Sequence, residues 1–228
     1  MEPHKLLDGI EAWRPSTTSA TEYFKKALAF TRKFYGEQIA QIESIRHENV
    51  TPESFFCEYI WVVHATGFSA RTVGKFIDRL ITAYGHWQTL GTESFNDSFI
   101  RVRTVCNNLP KARAVHTVAT RMVKEIINEG RSWEDFRTVE LSSPQVLQRL
   151  PYVGKVTCFH LARNIGLLEC VKPDLHLVRL AKYWGYPSCE IMCRSVCPEG
   201  MPLGIVDLVF WYAASTFGTV QVRTEGQR

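Results

Sequence analysis

The sequence predicts an all-α protein, and three observations carry that prediction. Apolar residues recur at helical spacing, as Phe24, Leu28 and Tyr35 do among lysines. No stretch alternates apolar and polar residues with a convincing period of two. Helix-start signals recur, the clearest being Thr51-Pro52-Glu53, with a capping threonine, proline at the first helical position and an acid in the first turn. About ten helices with short connections are expected.

In order, residues 1–18 read as irregular, with Pro15, Ser16 and two threonines ahead of the first firm helix. SATEYFKKALAFTRKFYG is amphipathic, and a second short helix is expected from Glu37 to His47. ESFFCEYIWVVHAT, after Thr51-Pro52, is the most apolar helix and the expected centre of the core. Gly67-Phe68-Ser69 breaks it. Ser69 is expected to cap ARTVGKFIDRLITAY, which stops near Gly85. Further helices are expected over Ser94–Cys106, Pro110–Asn128 and Ser132–Val139, and Met201–Phe217 reads as an apolar closing helix with Asp207 unusual within it. There that carboxylate pairs with a cation or caps a backbone group.

Composition narrows the classes. With 228 residues and 45% hydrophobic content, the chain can bury one large or two small cores. A formal net charge of +4 and a sequence pI of about 8.7 permit nucleic-acid binding without establishing it. No apolar run is long enough to span a membrane, and MEPHKLLDGIEAWRP is too mixed for a secretory signal. Seven cysteines without a disulfide framework suit a reducing compartment.

The chain is organised around residues 150–182, LPYVGKVTCFHLARNIGLLECVKPDLHLVRLAK. Ser142, Ser143 and Pro144 start a short helix, Leu150-Pro151-Tyr152-Val153-Gly154 form a tight hairpin, and Gly154 opens a second helix running to about Gly166. Lys172-Pro173-Asp174 opens a third, carrying His176, Arg179 and Lys182. Helix, hairpin, helix points backbone amides at one anion, with the positive end of a helix dipole behind them. Gly154 lets a phosphate approach closely, and Lys155 adds a charge.

These residues resemble the helix-hairpin-helix base-excision DNA glycosylases. That family's hairpin reads roughly L-P-G-V-G-x-K-T-A, and about twenty residues later it places an essential aspartate, usually as V-D-x-H-x-x-R. Here LPYVG-KVT is followed at that distance by KPDLHLVR, with Asp174, His176 and Arg179 in matching places. The resemblance covers most of the chain from Thr51 onward. It implies two helical domains, residues 51–168 forming a barrel that ends in the helix-hairpin-helix, and residues 1–50 with 169–228 forming a discontinuous second domain, the active cleft lying between them. It implies a monomeric enzyme in a reducing, DNA-containing compartment such as the cytoplasm. That enzyme acts on double-stranded DNA, flips out a damaged or modified base and hydrolyses its N-glycosidic bond. Two other readings stay open: a DNA-binding protein without chemistry, and a bifunctional glycosylase/lyase using a displaced lysine such as Lys155.

Asp174 has the look of a helix N-cap, and in the family the aspartate is both cap and catalytic carboxylate. Cap hydrogen bonds keep it ionised, so it can stabilise an oxocarbenium-like sugar and position the attacking water. Where bifunctional members carry the Schiff-base lysine, this chain has Val156. Lys155 lies one residue earlier, about 100° around a helix, where it reads as a phosphate contact. Tyr152, Val153, Gly154, Lys155 and Thr157 are the expected DNA contacts of the hairpin, Tyr152 replacing the usual small residue and lying against the backbone. His64, before an Ala-Thr pair, and the loop Asn107-Asn108-Leu109 with Lys111 are the candidates to fill the gap left by an extruded nucleotide. Tyr59, Trp61 and Phe68, with His176 beside Asp174, are the candidates for a base pocket. No cofactor is required. Relatives hold a structural sodium or potassium ion on hairpin carbonyls, here by position Gln148, Leu150 and Val153. Cys189, Cys193 and Cys197 do not match the family's iron–sulfur spacing C-x6-C-x2-C-x5-C, so no cluster is expected even with Cys170 as a fourth ligand.

Overall fold

A computed structural model describes residues 19–68 and 70–217, without the side chains of Ala70 and Arg71. The expectations for residues 1–18 and for a cap at Ser69 lie outside the described residues. Among those residues there is no strand, and no helix is long and apolar enough to cross a membrane. The chain divides into two compact units: residues 46–167, and the flanking segments up to residue 45 and from residue 168.

The contiguous unit holds helices α2 to α10. Helix α2 (Pro52–Ala65) begins as its sequence predicts, Thr51 Oγ1 accepting the Ser54 amide. It buries Phe55, Phe56, Tyr59, Ile60, Val62 and Val63. The predicted helix over 70–84 is two helices, α3 (Ala70–Gly74) and α4 (Ile77–Tyr84), ended by Gly85 at φ +71°. Then come α5 (Trp87–Thr92), α6 (Phe95–Val102) and α7 (Leu109–Met122), the last running on into a π-helical turn over Val123–Asn128. Helix α5 was not expected, since His86 supplies no side-chain cap to announce it. Its Gly91 makes the packing possible: a Cβ there would stand 2.5 Å from the Ala119 carbonyl of α7. Helices α8 (Trp133–Glu140), α9 (Pro144–Leu147) and α10 (Thr157–Asn164) close the unit.

The discontinuous unit consists of α1 (Ala20–Ser44), α11 (Leu175–Tyr183), α12 (Cys189–Val196) and α13 (Leu203–Phe217). Helix α1 absorbs both helices expected over 19–47, kinked at Tyr35 where the backbone leaves helical values. Tyr23 and Phe24 of α1 pack on Phe210 of α13 with ring centroids 6.1 and 5.3 Å apart. The core takes in Cys189, Met192 and Cys193 of α12.

Candidate functional site

The hairpin is built by local hydrogen bonds. Ser143 caps α9, the Leu150 amide donates to Leu147 O at 3.0 Å, and the Val153 amide donates to Leu150 O at 3.1 Å. Leu150 and Val153 are buried, and between them Tyr152 takes φ +64°, the one left-handed non-glycine among the described residues. That conformation is why a small residue is usual there. Tyr152 is left 41% exposed. Helix α10 starts at Thr157, three residues later than expected. Thr157 Oγ1 accepts the Gly154 amide at 2.7 Å and donates to Gly154 O, so neither group is held ready for a phosphate as the sequence suggested. The first turn of α10 has no side-chain cap, and Lys155 and Val156 beside it are exposed.

Tyr59 does not line a pocket. It is fully buried, stacked on Phe55, and its hydroxyl donates to Pro151 O at 2.5 Å. Its role is to hold the hairpin to α2. Trp61 is half-buried on α2.

His64 and Lys111 are also corrected. His64 has no exposed surface with which to fill a DNA gap; its Nε2 lies 2.9 Å from Tyr84 Oη. Burial, aided by the charge of Lys111, pulls its pKa down to about 4, so the ring is neutral at pH 7. Lys111 is 2% exposed and donates to His64 O at 3.0 Å and Thr66 O at 2.6 Å, a cation on the C-terminus of α2 rather than a side chain free to fill a DNA gap. Desolvation lowers its pKa. The same ammonium lies 4.6 Å from the Phe68 ring centroid and 5.8 Å from that of Tyr152. Phe68, 48% exposed, is therefore the side chain that the turn after α2 presents outward, on the side of Lys111 shared with the hairpin tyrosine. In the 107–109 loop, Asn107 and Leu109 are exposed, whereas Asn108 is the N-cap of α7, its Oδ1 accepting the Lys111 amide.

In the other unit, Asp174 caps α11. Its Oδ1 accepts the amides of His176 at 2.9 Å and Leu177 at 3.1 Å. Asp174 and His176 are half-buried. The thiols of Cys189 and Cys193 lie in the core, where burial raises the pKa of both, that of Cys189 to about 11. Cys197 Sγ donates to Met201 O. Among the described residues no group of three or more His, Cys, Asp or Glu side chains is arranged to hold a metal ion.

No protein-family model matches the sequence, and no curated protein matches it. Two solved structures do match in fold. The 8-oxoguanine DNA glycosylase of Thermotoga maritima superposes with a TM-score of 0.59 at 19% identity, over 86% of this chain and 98% of that one. The fold is that of the helix-hairpin-helix DNA glycosylases. The Methanocaldococcus jannaschii 8-oxoguanine glycosylase/lyase, in complex with a 15mer DNA containing 8-oxoguanine, shares this glycosylase fold with a TM-score of 0.59 at 17% identity, over 84% of this chain and 96% of that one.

Proposed function

We propose that the protein is a DNA glycosylase that hydrolyses the N-glycosidic bond of a damaged or modified base flipped out of duplex DNA. The observation that carries this reading is Asp174: it stands at the family's distance from the hairpin, and its cap bonds are made to one carboxylate oxygen, Oδ1. The two amide hydrogen bonds hold the carboxylate in place. A fixed negative charge then stabilises the sugar as positive charge develops at C1′, and helps to orient the attacking water. The water oxygen bonds to C1′, the base leaves with the bond's electron pair, and the water's proton passes to solvent, from which the released base is protonated.

The hairpin supplies binding. Lys155 and the uncapped start of α10 contact phosphate, with Tyr152 against the backbone. Phe68 takes the gap-filling role in place of His64, with Asn107 and Leu109, and Trp61 remains the candidate stacking surface for a base. The carbonyls of Gln148, Leu150 and Val153 are hard oxygen donors that would hold an alkali ion, which would add positive charge at the hairpin. The glycosylase is monofunctional: exposed Val156 holds the position of the family's Schiff-base lysine and has no amine.

Asp174→Asn tests the reading, since asparagine also caps well. The variant is expected to bind duplex DNA and to lose most single-turnover base release across a panel of modified duplexes. The panel includes 8-oxoguanine, the base named for both fold neighbours. Rates equal to the parent's would remove Asp174 from the chemistry.

A further inference from the structure

Helix α13 is buried at every residue from Leu203 to Phe210, and in that apolar run stands Asp207, 1% exposed. A carboxylate withdrawn from water is costly unless hydrogen bonds compensate it. Its Oδ2 accepts the backbone amide of Lys172 at 2.7 Å. One turn earlier on the same face, Gly204 donates its amide to Leu168 O at 2.7 Å. A Cβ at Gly204 would stand 3.0 Å from that oxygen and 3.5 Å from Cys170 O, so glycine is what lets the helix come this close. Two successive turns of α13 thus hold residues 168–172, a segment with no helix or strand of its own.

That segment delivers Asp174. The Asp174 amide donates to Lys172 O at 2.8 Å, so Lys172 is held on both sides, by Asp207 at its N–H and by Asp174 at its carbonyl. The Cys189 thiol, whose pKa burial raises first and the charges of Asp174 and Asp207 raise further, is within electrostatic reach of both carboxylates.

We propose that Asp207 is a positioning residue for Asp174: its hydrogen bond to Lys172 fixes the loop, and so the direction in which the Asp174 carboxylate points. This rests on the catalytic reading of Asp174. It accounts for a buried carboxyl side chain in a run where an apolar residue would need no partner.

Asp207→Leu and Asp207→Asn are compared with the parent in three measurements. These are the single-turnover rate of base release at saturating protein, the affinity for duplex DNA, and hydrogen–deuterium exchange at the Lys172, His176 and Leu177 amides. Asp207→Leu is expected to lower the rate by about 10- to 100-fold, the scale set by misplacing a reacting group. It should speed exchange at the three amides and leave duplex affinity and the rest of α13 unchanged. Asp207→Asn, which can still accept the Lys172 amide, is expected to recover most of both losses. A rate within about twofold of the parent's with the amides still protected overturns the proposal, since a loss of about 10- to 100-fold is what it asserts. A loss of rate matched by loss of affinity and of protection throughout α13 also overturns it, because that pattern is collapse of the helix.

If Asp207→Leu does not fold, Gly204→Ala carries the test by pushing on the Leu168 carbonyl: slower base release and faster exchange support the anchor, and no change in either overturns it. A parent protein that releases no base from any duplex sinks the catalytic reading, while exchange at the three amides still decides whether Asp207 holds the loop.

Discussion

The hydroxyl of Tyr59 donates to the carbonyl of Pro151 at 2.5 Å, so one partly buried hydrogen bond ties the central helix α2 to the hairpin. Tyr59→Phe removes the donor and leaves a partly buried carbonyl unpaired. It is expected to cost about 1–3 kcal/mol in urea unfolding and to weaken binding to all duplex sequences alike. Unchanged stability would mean that the bond does not hold the hairpin.

Lys111 and Lys155 are expected to separate in salt titrations. Lys155→Glu should weaken duplex binding and flatten its dependence on salt, because a phosphate contact is lost. Lys111→Met should destabilise the fold by about 1–3 kcal/mol, since His64 O and Thr66 O lose their donor, and should keep the parent's salt slope. Phe68→Ala, by contrast, should leave the fold intact and slow base release from duplex more than from single-stranded DNA, in which no stack has to be opened. Equal slowing on both would remove Phe68 from the gap-filling role.

His64 makes stability depend on pH. Its folded pKa of about 4 lies below the ordinary histidine value of 6.5, so between these values the unfolded chain binds more protons. The stabilisation is complete above pH 6.5 and is lost as pH falls toward 4, on the order of 3 kcal/mol in all. His64→Phe should flatten this part of the stability profile relative to the parent, at a constant cost for the Tyr84 hydroxyl left unpaired. Parallel parent and variant profiles across that window would show that His64 does not titrate there.

Val156→Lys places an amine at the family's lyase position. The parent is expected to release base and leave an intact abasic strand, with little protein trapped on DNA by borohydride. Val156→Lys is expected to raise trapping, provided its amine is partly neutral at the assay pH. Efficient trapping of the parent that disappears in Lys155→Ala would show a displaced lyase lysine instead.

Local signals carried far in this sequence. Thr51, Ser94, Ser132, Ser143 and Asp174 all cap the helices their positions announce, because a cap needs only its own neighbours. The side chains read for DNA contact fared differently. His64, Tyr59 and Lys111 carry groups suited to a nucleic acid, but each is spent on a partner distant in sequence: Tyr84, Pro151 and the end of α2. Residue type gives what a group can bind, whereas burial decides what it does bind, and burial is set by packing across helices. Helix α5 was illegible for a related reason: its place depends on Gly91 meeting the α7 backbone, a contact with no trace in a short window.

The order of the segments has a consequence for synthesis. Residues 46–167 form a contiguous unit, which can fold as soon as it clears the ribosome. Helix α1 is made earlier but packs on α13, so Tyr23 and Phe24 stay without their Phe210 partner until translation has passed the contiguous unit and reached α13. A helix synthesised before the contiguous unit thus finds its place only after that unit is complete. Closing so long a loop is slow, and a nascent chain stalled before residue 203 would display an apolar α1 surface for chaperones to cover.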